Sequence, residues 1–212
     1  MYDLLRHRET DERKIRELIN QYPLALISGC SNDHQPVAAQ LPLLWNSLDG
    51  QNFLIGHCMK STDHYRAFVE NPEVLAVFTG PECYVSGRWY SNPQTPSTWN
   101  YMSVYVRGQI SFVSDQELIK IMHETTRHFE NQDKDSPTVF KNLPKSLTDR
   151  LLPLIGGFRI KVDSIKAVFK LSQDRDLESY QNIVSQLQHQ GEQEKAIAAA
   201  MQQRLEGVFR EN

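Results

Sequence analysis

The segment His57-Cys58-Met59-Lys60-Ser61-Thr62 gathers an imidazole, an ammonium and two hydroxyls where an apolar run gives way to a helical one carrying His64, Tyr65 and Arg66. Lys, Ser and Thr at a strand end and helix start can hold a phosphate. The first turn of a helix offers unpaired N–H donors and a favourable dipole, and the lysine adds charge. His57 reads first as a buried imidazole satisfied by a neighbouring backbone group, with a ligand-facing role as the alternative.

A second candidate lies between Phe78 and Gly108, which holds two of the three tryptophans and four of the eight tyrosines among Ser, Thr, Asn and Arg. Rings giving contact area and a few donors giving orientation are what a planar, partly apolar ligand requires. Tyr84 and Tyr105 are expected in the core. Thr98-Trp99-Asn100-Tyr101 is expected at a ligand, because core strands rarely place Thr and Asn around a Trp without a partner to satisfy them. A third segment, His123-Glu124-Thr125-Thr126-Arg127-His128, resembles a zinc-peptidase helix but spaces its histidines five apart. That turns them about 140° from a common face, so they are expected as solvated polar-face residues, not zinc ligands.

Several chemistries are excluded. The chain has no G-x-G-x-x-G, no Walker-type lysine loop and no G-x-S-x-G elbow. Its three cysteines, Cys30, Cys58 and Cys83, stand apart at no metal or redox spacing and suit a reducing cytoplasm. Charge is nearly balanced, at 23 basic against 26 acidic residues and a net −3, which argues against a dedicated DNA-binding surface. No run approaches the roughly 18 apolar residues of a membrane span, and the N-terminus has no signal-peptide pattern. A soluble, cytoplasmic protein is expected.

The elements that must position these residues read as follows. A helix carries Ile15, Leu18, Ile19 and Tyr22 behind a cap at Thr10 or Asp11 and stops at Pro23. Strands are expected at Leu24–Cys30, Val37–Leu44, Asn52–Cys58, Val74–Thr79, Cys83–Val85 and Trp99–Val113. Turns are expected at Ser31-Asn32-Asp33, Asp49-Gly50 and Gly80-Pro81. Ser114 with Glu117 forms a capping-box pattern for a helix lined by Leu118, Met122, Thr125 and Phe129. A loop over Asn131–Pro144 and a short helix over Leu147–Ile155 precede a strand at Phe158–Phe169, with Phe158, Ile160 and Val162 inward. Two helices close the chain, one near Leu177–Gln188 and one carrying Ile197, Met201, Leu205 and Val208. Short strands with tight turns argue for a barrel or sandwich rather than a parallel sheet.

The chain resembles the PaiB family of FMN-binding negative transcriptional regulators. The resemblance is carried in order by an N-terminal Met-Tyr, Ala38-Ala39-Gln40-Leu41-Pro42-Leu43, Gly56-His57 with Lys60, and Phe78-Thr79-Gly80-Pro81-Glu82-Cys83-Tyr84-Val85-Ser86. It continues through Trp89-Tyr90, Thr98-Trp99-Asn100-Tyr101, Gly156-Gly157-Phe158 and Lys170-Leu171-Ser172-Gln173, to about Leu187. It implies an α+β fold, an FMN-binding split β-barrel of the pyridoxamine-phosphate-oxidase and flavin-reductase kind, with peripheral and C-terminal helices. The barrel would span residues 1–172 and a helical extension 173–212. It also implies a bacterial homodimer with FMN at the subunit interface.

Under that resemblance Lys60, Ser61 and Thr62 hold the phosphate, near His57. Ala39, Gln40, Leu41 and Pro42 run along the isoalloxazine with backbone hydrogen bonds. Trp89, Tyr90, Thr98, Trp99, Asn100 and Tyr101 complete the pocket, and Lys170, Ser172 and Gln173 reach the same interface. The chain departs from the family's Ala-Thr-His-Leu-Pro at Ala39 and Gln40, and from its Ala-Arg-Ala-Asn-Pro at Met59–Asp63. It departs again at Gly87, where Pro is usual, and at Pro96-Ser97 before Thr98-Trp99. Lysine keeps the charge of arginine but not its bidentate fork.

Three functions compete. The first is a regulatory or sensory flavoprotein, with direct DNA contact disfavoured by the charge and by the lack of a helix-turn-helix pattern. The second is an FMN-dependent oxidoreductase, which needs no nucleophile of its own because the flavin carries the redox chemistry. The third is a barrel whose altered pocket no longer takes flavin.

Overall fold

A computed structural model describes residues 4–92 and 94–209; Met1 and Tyr2 of the N-terminal motif lie outside them. Helix α1 (Glu12–Gln21) starts where Asp11 accepts the Arg13 N–H at 2.9 Å and ends before Pro23. Strand β2 (Leu24–Cys30) follows, and Ser31–His34 form the turn into β3 (Pro36–Pro42). The run expected as one strand to Leu44 breaks at Leu43. Pro42 has no N–H to give to a ladder, and the Leu43 N–H goes instead to the Pro23 carbonyl at 2.9 Å. A separate strand, β4 (Leu44–Leu48), then pairs with β5 (Gln51–Met59) through Asp49-Gly50. Both turn residues have positive φ, 51° and 76°, the two-residue hairpin turn whose twist matches its strands.

After α2 (Asp63–Glu70) comes β6 (Glu73–Val85), one continuous strand where Gly80-Pro81 had predicted a turn. Proline's fixed φ is compatible with extended backbone. At Gly80 the absent Cβ is needed for a close approach: it would meet Leu18 at 3.0 Å and the Met102 carbonyl at 3.2 Å. Strand β7 (Thr98–Phe112) leads to α3 (Asp115–Phe129), whose Ser114–Glu117 capping box is formed in both directions. Leu118, Ile121 and Thr125 are its buried face, while Phe129, expected to share it, is exposed at the helix end.

The helix expected over Leu147–Ile155 is shorter, α4 (Lys145–Leu151). Pro153 cannot extend the ladder, so a 3-10 turn (Leu152–Leu154) passes directly into β8 (Ile155–Lys170). Phe158 and Ile160 are buried as expected, and Val162 half-buried. Helices α5 (Leu177–Leu187) and α6 (Glu192–Phe209) follow. The sheet order is β3-β2-β6-β7-β8-β5-β4, with the short β1 (Arg8–Glu9) paired antiparallel to β8.

The chain divides into two compact units. One comprises residues 19–78 and 105–165 and contains β2 to β5 with α2 to α4. Its core includes Ile27, Leu43, Leu54, Phe68, Phe78, Phe158 and Ile160. Gly156 and Gly157 shape it: a Cβ on Gly156 would meet the Tyr65 ring of α2 at 2.6 Å, and one on Gly157 would meet Leu118 of α3 at 3.0 Å. The other unit comprises residues 1–18, 79–104 and 166–212 and contains α5 and α6. Val85, Phe169, Leu171, Tyr180, Ile183, Leu187, Ile197 and Met201 are among its buried apolar residues.

Candidate functional site

In the unit built on residues 19–78 and 105–165, the expected phosphate segment sits at the start of α2. Thr62 is its N-cap: the Thr62 hydroxyl accepts the Tyr65 N–H at 3.4 Å and donates to the Met59 carbonyl at 2.7 Å. The His64 ring lies 3.0 Å from the same hydroxyl. Tyr65, set against Gly156 and 4.4 Å from the Phe112 ring, fixes the helix on the sheet. The Asp63 carboxylate accepts the His64 N–H at 2.7 Å, which lowers its pKa and uses one of the first-turn donors. The Lys60 N–H goes to Leu154 at 2.9 Å, whereas the Lys60 ammonium and the Ser61 hydroxyl have no partner among the described residues.

Three positions before Lys60, the buried Nδ1 of His57 is also without a partner, and burial lowers that imidazole's pKa. The backbone bond expected for it is not made. An unpaired buried nitrogen is costly, which sets His57 apart from the bonded side chains of this unit.

Ala39, Gln40, Leu41 and Pro42 lie on β3, the first strand of the sheet order. The strand pairs with β2 from Pro36↔Cys30 to Pro42↔Leu24, and its other edge carries no ladder among the described residues. Gln40 is exposed while Ala39 and Leu41 are half-buried. Backbone donors and acceptors along an unpaired edge can bind the polar rim of a planar heterocycle. An ammonium, a hydroxyl, an unpaired imidazole nitrogen and an open strand edge are a donor set that fits a flavin mononucleotide.

In the other unit, Lys170, Ser172 and Gln173 bond to protein rather than pointing at open space. Lys170 Nζ donates to Thr98 Oγ1 at 2.6 Å and to the Trp99 carbonyl, and burial lowers its pKa. Ser172 Oγ donates to Asn100 Oδ1 at 3.0 Å, and Asn100 Nδ2 faces Met201 Sδ at 3.6 Å. Asn100 is 0 % exposed. Gln173 Oε1 accepts the Leu171 N–H at 2.7 Å and Gln173 Nε2 donates to the Phe169 carbonyl at 2.6 Å.

The Tyr90 ring is buried 4.7 Å beneath the Arg175 guanidinium. Burial raises its pKa, and its hydroxyl has no well-formed bond. Trp89 is half-buried in a 3-10 turn (Gly87–Trp89), and Tyr101 is half-buried on β7. The surface of this segment is instead Trp99, 54 % exposed, with Tyr84 at 51 %, their rings edge to face at 6.1 Å. Tyr84 is thus not the core residue expected; it alternates outward on β6, and its neighbours Cys83 and Val85 take the buried face.

The Cβ of any larger residue at 87 would meet the Thr95 carbonyl at 2.5 Å, so Gly87 is what lets Ser97 cap the Gly87 N–H at 2.9 Å. Two features escaped the sequence reading. One is the Ser91–Asp176–Ser179 hydroxyl–carboxylate cluster, bonded at 2.7–3.1 Å. The other is the pocket beside α3 described below. No group of three metal-ligating side chains exists among the described residues, and His123 and His128 join no metal site.

The fold is α+β, an FMN-binding-type split β-barrel of antiparallel strands with peripheral and C-terminal helices. The chain belongs to the family described as "Putative FMN-binding domain", whose model matches residues 1–164. It is 34 % identical over 172 residues to the protease synthase and sporulation protein PAI 2 of Bacillus subtilis, covering 81 % of this chain and 82 % of that one. Among solved structures, it is similar to the FAD and heme binding protein of Mycobacterium smegmatis (TM-score 0.59, 18 % identity, 77 % and 73 % of the two chains). It is also similar to the flavocytochrome Anf3 of Azotobacter vinelandii (TM-score 0.55, 14 % identity, 76 % and 68 %). No described helix is long and apolar enough to cross a membrane.

Proposed function

We propose that this chain is an FMN-binding homodimer that acts as a regulatory or sensory flavoprotein in the cytoplasm. The observation that carries the reading is the set of unpaired groups between β5 and α2: the Lys60 ammonium and the Ser61 hydroxyl just before the helix, and the orphaned Nδ1 of His57 on β5. Lys60, Ser61 and Thr62 take the phosphate, and the open edge at Ala39–Pro42 takes the ring's heteroatoms. In the other unit Trp99 and Tyr84 offer an aromatic surface. Lys170 holds Thr98 and the Trp99 carbonyl, Ser172 holds Asn100, and Gln173 fixes the turn after β8 through Phe169 and Leu171; Trp89, Tyr90 and Tyr101 complete the proposed site. When bound, the flavin supplies redox or light-absorbing chemistry; the chain's residues hold and orient it.

Dimerisation is supported by the outer face of β2 and its neighbours. Leu24 and Leu26 are 56 % and 42 % exposed there, and the register sets Pro42 beside Leu24 and Val77 beside Leu26. Such an apolar face fits a second copy of the chain. A regulatory role is supported by the resemblance to the PaiB family, and the similar Bacillus subtilis protein carries sporulation in its name. With a net charge of −3, control through another protein is preferred to direct DNA contact.

Absorbance and fluorescence titration with FMN tests the reading. Saturable binding with a shifted flavin band is expected, and Lys60→Ala should bind at least about tenfold more weakly, the worth of one charged hydrogen bond. No binding at high micromolar FMN overturns it.

A further inference from the structure

The histidine-rich turn of α3 does not project singly into water. His123, Glu124, Arg127 and His128 line one open pocket of about 250 Å³ with Asn20, Leu44, Trp45 and Gln132. None of these residues is in the flavin donor set. The i, i+3 and i, i+4 spacings within 123–128 bring the four together, although the two histidines are five apart. Glu124 and Arg127 are three apart with the acid first, the favourable order for a helical ion pair.

The chain closes such pairs elsewhere on its helices: Arg13–Glu17 at 3.9 Å, Glu12–Arg16 at 3.5 Å, Lys145–Asp149 at 2.7 Å and Glu192–Lys195 at 3.0 Å. Glu124 and Arg127 do not meet. Each is held apart by a neutral partner. Arg127 donates to Gln132 Oε1 at 3.1 Å while the Gln132 N–H returns to the Arg127 carbonyl at 2.8 Å. Glu124 accepts from Asn46 Nδ2 at 3.3 Å. The Gln132 anchor is itself held at φ 64°, a conformation uncommon for a residue with a side chain.

The flanking walls are also fixed. The Trp45 indole donates to Ser47 at 3.2 Å, and the His123 ring stands edge-on to Phe140 at 4.9 Å. Opposite charges kept separate across a pre-shaped pocket with an indole and a leucine beside them match a ligand carrying both charges and an apolar group. We infer that this pocket binds a free α-amino acid, its carboxylate on Arg127, its ammonium on Glu124, and its side chain against Trp45 and Leu44. His123, His128 and Asn20 supply the remaining donors and acceptors.

The test is thermal unfolding of the full chain with L-leucine, L-glutamine or L-phenylalanine, each at about 10 mM. At least one should raise Tm by about 5 °C or more where its concentration reaches 100-fold above Kd. For L-leucine the single-charge probes are 4-methylpentanoate, which lacks the ammonium, and 3-methylbutylamine, which lacks the carboxylate; neither should shift Tm. Glu124→Gln and Arg127→Gln, both at exposed positions, should fold normally by circular dichroism and each lose at least tenfold in affinity, with FMN titration unchanged. No shift with any of the three amino acids, an equal shift with a single-charge probe, or retained binding in both variants overturns the inference.

Discussion

Gln173 shows how far one side chain's bonds can fix another's protonation. Its amide oxygen accepts from Leu171 N and also lies 2.9 Å from His7 Nδ1, so that imidazole nitrogen is the donor. Burial is the largest cause of its lowered pKa, outweighing the Gln173 bond. A histidine depressed in the folded state binds its proton more readily when unfolded. Its contribution to stability is therefore present above the unfolded value of about 6.5 and lost as pH falls through the lower folded value. Urea denaturation from pH 7.5 to 5 should show stability declining on the acid side, and His7→Gln should flatten that slope. An unchanged slope would mean that other groups govern it.

At the scale of elements, the C-terminal helices pack within the unit of residues 1–18, 79–104 and 166–212. Ile197 and Met201 of α6 are fully buried, and the Tyr180 hydroxyl of α5 donates to the Met201 carbonyl at 2.9 Å. Arg204 pairs with Glu9 beside β8, its guanidinium 5.0 Å over the Phe169 ring, and the Glu9 side chain is only 7 % exposed. Removing one partner of a buried pair leaves the other charge stranded. Arg204→Ala should cost about 3–5 kcal/mol, read as a lower urea midpoint, and Glu9→Gln in the same background should recover part of it. Full stability in Arg204→Ala would show that the pair carries no weight.

At the scale of the whole molecule, the proposed dimer rests on the exposed leucines of β2. Leu26→Asp puts a charge on the face that Leu26 shares with Leu24, with Val77 on one side and Gln40 on the other. Sedimentation velocity should show the wild-type chain as a dimer and this variant as a monomer with weakened FMN binding. A wild-type monomer that still binds FMN would separate the flavin reading from the dimer reading.

The sequence by itself determined much of this protein, because its signals are local. Pro23, the Ser114–Glu117 box and Asp49-Gly50 set φ or satisfy end groups within a few residues, and the elements begin and end where they predict. Lys60-Ser61-Thr62 at the mouth of a helix was legible for the same reason. The tertiary structure decided matters that depend on distant partners. Gly80-Pro81 stays extended because Leu18 and Met102 approach there, and Tyr84 faces outward because its neighbours take the buried side. Thr98, Asn100 and Lys170 read as ligand groups, yet their bonds run to one another and to Ser172 across more than seventy positions. His123 and His128 read as solvated polar-face residues, yet with Glu124 and Arg127 they line one pocket beside Asn20 and Trp45. Spacing along a chain fixes which way a side chain leaves the backbone; only packing fixes what it meets.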